Sequence, residues 1–224
     1  MKRNFYTLIA MLTCVGLVMG CTKDNFIATG VSDGRHDCSL LEYMMKHSYD
    51  WDSTVVMVRH AELTSLFENN ELDGHKYEGL TFFGPTNHSI RRYLMEQKKA
   101  QVTDLDPNMC RTLLLRCMIG KKYYMDDFKA GEHTTGYVIV GEGGDRYTTL
   151  AGTECWIYTV AANYNGVPYM GAKSIYIKML DVINQNKMEI ASGNIEPNGC
   201  VVHALEYKFT IDDWLKRGET LIKK

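Results

Sequence analysis

The stretch that decides the fold is Glu78–Leu94, EGLTFFGPTNHSIRRYL. Leu80, Phe82 and Phe83 are residues that suit a pleated, half-buried surface and predict a strand. Gly84-Pro85 stops it, because proline has no N–H to give a ladder. Thr86 or Asn87 then offers a side-chain oxygen to cap a helix. Ile90 and Leu94 follow at helical spacing, with Arg91 and Arg92 facing elsewhere.

A second stretch, Asn198–Phe209, NGCVVHALEYKF, answers the first. Asn198-Gly199 supplies turn residues that tolerate positive φ. Val201, His203, Leu205, Tyr207 and Phe209 alternate with Val202, Ala204, Glu206 and Lys208. That alternation predicts a strand with His203 on its apolar side.

Together the two stretches resemble the two signature segments of fasciclin (FAS1) domains. The first family segment is similar to T-x-F-A-P-T-[ND] before a helix, and here it is Thr81-Phe82-Phe83-Gly84-Pro85-Thr86-Asn87. The second is similar to N-G-x-x-H, and here Asn198-Gly199-Cys200-Val201-Val202-His203 carries one extra residue before the histidine. The resemblance covers 38–209. It implies an α+β fold: a single fasciclin-like domain, an antiparallel β-sheet wedge with helices packed on it. It also implies structural roles for Pro85, Thr86, Asn87, Asn198, Gly199 and His203, with the partner of His203 near the Pro85-Thr86-Asn87 turn. Many fasciclin domains carry a Tyr-His segment linked to adhesion. The matching stretch here is Leu115-Arg116-Cys117-Met118-Ile119, so integrin-type adhesion is not implied.

The rest of the chain fits that frame. Ser39 caps a helix bearing Leu40, Leu41, Met44 and Met45, and Asp52-Ser53 opens a helix around Val55 and Val58 despite its β-branched run. Asn69–Tyr77 reads as polar loop. Asp106-Pro107 pairs a capping carboxylate with proline at the first helical position, and Gly120 is the expected C-cap. Strands are expected at Tyr137–Val140, Tyr147–Leu150, Cys155–Val160, Ser174–Met179 and Lys187–Ala191, split by glycine and asparagine turns. Helices first and strands later indicate α+β. A last helix spans 210–224, with Ile211, Trp214 and Leu215 on the face that docks onto the domain.

With 224 residues, 45% hydrophobic and 23% charged, the chain can build one domain with a substantial core. A net charge of −2, of mixed sign along the chain, gives no electrostatic case for nucleic acid.

The N-terminus reads as an address. Lys2 and Arg3 precede an apolar run, Phe5–Met19, too short for an ordinary membrane span. Val18-Met19-Gly20-Cys21 resembles a bacterial lipobox; the alternative is an ordinary secretory peptide with an incidental cysteine. The expectation is a lipoprotein signal peptide at 1–20, acylation of Cys21 by palmitate-like chains, and a flexible tether at 21–37. Each buried CH₂ contributes about 0.8 kcal/mol, so two or more chains hold a protein at the membrane durably. Thr22-Lys23-Asp24 is similar to the signal that sends lipoproteins of the Bacteroidetes type to the outer face of the outer membrane.

Cys38, Cys110, Cys117, Cys155 and Cys200 follow Cys21, an odd number. Cys110 and Cys117 lie about 10 Å apart along a helix, beyond disulfide reach. The five read as buried thiols, with a Cys155–Cys200 bridge as the alternative pairing.

No catalytic constellation appears. His60-Ala61-Glu62 lacks the cysteines of a zinc deaminase, Glu132-His133 lacks the second histidine of a zincin, and no G-x-S-x-G elbow is present. Gly141-Glu142-Gly143-Gly144 precedes strands rather than the helix a phosphate cradle needs. No metal, cofactor or catalytic residue is expected. Asn163, Tyr164, Asn165 and Tyr169 either offer stacking and amide bonds to a sugar or form a plain hairpin tip. The expected function is a non-enzymatic, lipid-anchored surface protein for adhesion or for binding a surface protein or glycan. The alternative is an accessory subunit of an outer-membrane polysaccharide-uptake complex with a TonB-dependent transporter.

Overall fold

A computed structural model describes residues 34–131, 143–182 and 187–215. The expected strand at Tyr137–Val140 and the residues beyond Leu215 lie outside the described residues, as do Cys21 and the whole signal segment. The short strand β1 (Arg35–His36) falls inside the stretch read as tether, yet it pairs with the sheet.

Helix starts form where their caps are. The Ser39 hydroxyl accepts from the Glu42 N–H and the Glu42 carboxylate accepts from the Ser39 N–H, opening α1 (Leu40–Lys46). Helix α2 (Ser48–His60) buries Trp51, Thr54, Val55, Met57 and Val58, so packing overrides its β-branched run. After α3 (Thr64–Asn69), the stretch read as loop is a small hairpin, β2 (Glu71–Leu72) and β3 (His75–Lys76). Strand β4 (Leu80–Gly84) ends at the Gly-Pro step and α4 (Asn87–Glu96) follows. Asp106 caps α5 (Pro107–Arg116) by accepting from the Met109 N–H. That helix stops at Cys117, before Gly120, because Met118–Ile119 is recruited as strand β5 on β4.

The remaining strands are β6 (Asp145–Thr148), β7 (Glu154–Ala161), β8 (Lys173–Met179), β9 (Met188–Pro197) and β10 (Cys200–Leu205). The sheet has eight strands in the order β5-β4-β10-β9-β8-β7-β6, with β1 beside β9. Most pairs are antiparallel, but β4–β10 and β1–β9 are parallel. Parallel neighbours need a long crossover, and the whole chain between Gly84 and Cys200 supplies it.

The β10 residues are buried on both faces, so its alternation does not separate inside from outside. It also ends at Leu205: Tyr207 is 61% exposed, while Phe209 turns inward onto Trp214. The last helix, α6 (Ile211–Leu215), buries Ile211 and Trp214 against α4 and α5. The main core lies between the helices and one face of the sheet. On the other face of β7 and β8, Trp156, Tyr158 and Tyr176 stack in a ladder with centroids 4.4 and 5.2 Å apart. The five cysteines are buried free thiols, so Cys155 and Cys200 do not pair.

Candidate functional site

The two signature stretches lie side by side. Cys200–Ala204 pairs in register with Leu80–Gly84, placing the Asn198-Gly199 turn at one end of the strand pair and the Pro85-Thr86-Asn87 turn at the other. Gly199 sits at φ +72°, and a Cβ there would lie 2.1 Å from Asn70 Nδ2. Asn198 ties the turn to the start of the domain: its N–H donates to the Cys38 carbonyl and its amide to Asp37.

At the other end the turn clamps onto α2. Thr54 donates to the Pro85 carbonyl (2.6 Å). Buried Asn87 donates to the carbonyls of Ser48 and Tyr49 and accepts from the Ser53 N–H. Thr86 occupies the cap position of α4 without a side-chain capping bond. Gly84 is needed for contact, since a Cβ would lie 2.4 Å from the Trp51 ring.

The partner of His203 is not in that turn. The side-chain amide of Asn87 is committed to α2, and His203 Nε2 instead meets the Tyr123 carbonyl at 2.9 Å. Thr81, the first residue of the signature, arranges this. Its hydroxyl donates to the Lys121 carbonyl and accepts from the Tyr123 N–H, pinning 121–123 beside the sheet. Opposite His203, β9 bulges between Ile195 and Ser192, and a Cβ on Gly193 would lie 2.8 Å from His203 Nδ1. Phe83 stacks on the imidazole and Phe128 meets it edge-on. Burial pushes the His203 pKa down to about 4 against the pull of the Tyr123 carbonyl. The ring is therefore neutral at pH 7, with Nε2–H donating, and it is sealed from solvent. It holds the fold together and has no access to a substrate.

Burial also holds the thiols of Cys110, Cys117, Cys155 and Cys200 protonated. Burial raises Cys110 to about 11 and Cys155 and Cys200 to about 12. Among the described residues no three His, Cys, Asp or Glu side chains gather as metal ligands, and no helix is long and apolar enough to cross a membrane.

Asn163, Tyr164 and Tyr169 do come together, on the hairpin joining β7 to β8 and away from the signature pair. Tyr164 and Val167 exchange backbone bonds around Asn165 (φ +48°) and Gly166 (φ +79°), the geometry a two-residue Asn-Gly turn demands. Asn163 Oδ1 accepts from the Tyr169 N–H at 3.1 Å. That clamp holds Tyr169 at φ +60°, in the left-handed region that costs an L-residue about 1–2 kcal/mol.

Every residue from Ala162 to Met170 is exposed, and the apolar side chains among them include Tyr164 (62%), Val167 (53%), Tyr169 (55%) and Met170 (69%). At the foot of the hairpin a cavity of about 400 Å³ is lined by Ala130, Gly131, Thr159, Ala161 and Tyr169. Val167, Met170 and this cavity escaped the sequence reading; the missed signal is the run without a charged residue from Val160 to Ala172. Two other grooves, of about 420 and 610 Å³, flank Lys122, whose ammonium is held by Glu196 at 2.6 Å. Tyr124 and Arg35 also engage Glu196, and the hydrogen bonds from Lys122 and Tyr124 keep that carboxyl below its usual range. In the smaller groove, Arg35, Lys122 and Glu196 are thus paired with one another.

The fasciclin domain model matches residues 50–209. A search of curated proteins finds no match. Among solved structures, the FAS1 domain pair of the insect cell adhesion molecule fasciclin I is similar at 11% identity with a TM-score of 0.41. The similarity covers 75% of this chain and 44% of that one, so the chain spans less than half the length of that structure. With both signature stretches paired as neighbouring interior strands of its sheet and most of its length matched, the chain belongs to the fasciclin domain family.

Proposed function

We propose that this is a non-enzymatic, lipid-anchored cell-surface protein that presents the β7–β8 hairpin to a ligand, a surface protein or a glycan. The observation that carries the reading is the tip itself: Tyr164, Val167, Tyr169 and Met170 stand in solvent on one protruding turn. Exposed apolar clusters of this kind mark interaction sites. Tyrosine and asparagine are also the side chains that recognition loops favour, giving rigid contact area and adaptable hydrogen bonds. Adhesion is common among fasciclin domains. The burial of His203 and of the thiols speaks against a catalytic role.

The anchoring half of the proposal rests on Val18-Met19-Gly20-Cys21 and on Thr22-Lys23-Asp24, which favour acylation at Cys21 and display from the outer membrane. A display site of this kind also suits an accessory subunit of a polysaccharide-uptake complex, and a TonB-dependent transporter gene pair beside this one would favour that reading. The test is metabolic labelling with a fatty-acid analogue, followed by protease shaving of intact cells. Wild type should be labelled and shaved, and Cys21→Ala should carry no label. Equal labelling of both would contradict the anchor.

A further inference from the structure

Resting on the reading of the hairpin as the ligand-contact site, we propose that its ligand is an uncharged glycan. The ring of Tyr169 would be the stacking wall of the cavity, and Tyr164 a second platform on the tip.

Three observations converge on this class. First, the ribbon carries no Asp, Glu, Lys, Arg or His from Val160 to Ala172, in a chain that is 23% charged. The flanking Lys173 is already paired with Asp126 at 2.6 Å. Among the described residues of the ribbon, none carries a cation to complement an acidic or sulfated polymer. Second, the chemistry offered is two exposed phenol rings and the amides of Asn163 and Asn165. Flat rings pair with the C–H faces of a pyranose, and amides pair with its hydroxyls. Third, the site is built in advance. The Asn163–Tyr169 clamp holds a bulky residue at φ +60°, where glycine would sit without strain. A strained conformation that persists in this way is a feature of ligand clamps. The ring so placed borders a cavity of about 400 Å³, whose other walls are Ala130, Gly131, Thr159 and Ala161. That size falls within the roughly 300–1,000 Å³ of small-ligand pockets.

A lipid surface fits less well. Segments that lie in a lipid interface pair their apolar side chains with Lys and Arg, which the tip lacks.

The experiment uses the full chain in detergent, titrated with neutral galactan, mannan and β-glucan oligosaccharides and with a sulfated galactan as the charged counterpart. The expected result is binding to at least one neutral glycan, unchanged by added salt, with no gain on sulfation. Tyr164→Ala should weaken it about tenfold or more, and Tyr164→Phe, which keeps the ring, should not. Tyr169→Gly should lose binding while melting at or above the wild-type temperature, since glycine relieves the positive φ; unfolding cannot then explain the loss. Tighter, salt-sensitive binding to the sulfated polymer would overturn the proposal, as would wild-type affinity in the tip variants. If no neutral glycan binds, yet the tip variants still abolish attachment of cells to neighbouring cells, the contact site stands and its ligand is a protein. If the tip variants lose neither, both readings fail.

Discussion

His203 shows how a residue can be identified from a motif while its role depends on contacts the motif does not contain. Its position in a strand, and its burial, were legible from the alternation around it. Its partner was not, because Tyr123 lies 80 residues away and is delivered by a third element. The burial has a pH consequence. In the unfolded chain the imidazole takes up a proton near its ordinary value of 6.5, whereas in the fold it resists until about 4. The unfolded state therefore binds more protons between those values, and stability falls as the pH drops from 6.5 towards 4. The loss attributable to His203 is roughly 3 kcal/mol across that window, and above 6.5 it is absent. Urea melts of wild type and His203→Leu at about pH 7 and about pH 4.5 would isolate it: wild type should lose the larger share of its stability.

Among elements, those with local signals were readable and those set by long-range pairing were not. The Gly-Pro step after β4, the Ser39 cap and the Asp106-Pro107 start of α5 all act within a few residues, and each forms where expected. The parallel pairing of β4 with β10, the recruitment of Met118–Ile119 as β5 and the end of β10 at Leu205 depend on neighbours distant in sequence. The alternation through Phe209 misled because both faces of β10 are covered, which erases the difference between its two parities. The pairing makes a test of coupling. Thr81 and His203 act on the same segment, 121–123, while Asn87 serves α2. Thr81→Val and His203→Ala should couple by about 0.5 kcal/mol or more in a double-mutant cycle. Asn87→Ala and His203→Ala, sharing no partner, should add to within about 0.5 kcal/mol. Urea denaturation of the three single and two double variants beside wild type measures both.

At the scale of the whole molecule the features divide by role. The two signature stretches pair as interior strands beside β5 and bind the sheet to α2 and to the segment after β5. The polar groups of Asn87, the Pro85 carbonyl and His203 Nε2 are bonded within the fold. The surface chemistry stands instead on the β7–β8 hairpin, whose Tyr and Asn residues were visible in the sequence but whose exposure, strained Tyr169 and adjoining cavity required the structure. The central claim is this division between a buried scaffold and an exposed contact tip. Its most direct measurement is the urea midpoint of His203→Ala, Asn87→Ala and Tyr164→Ala beside wild type. Removing a buried partner leaves another group unsatisfied at about 1–3 kcal/mol, so the first two should melt well below wild type and Tyr164→Ala should match it to within about 0.5 kcal/mol. A His203→Ala protein that melts like wild type, or a Tyr164→Ala protein destabilised as much as the other two, would contradict the account.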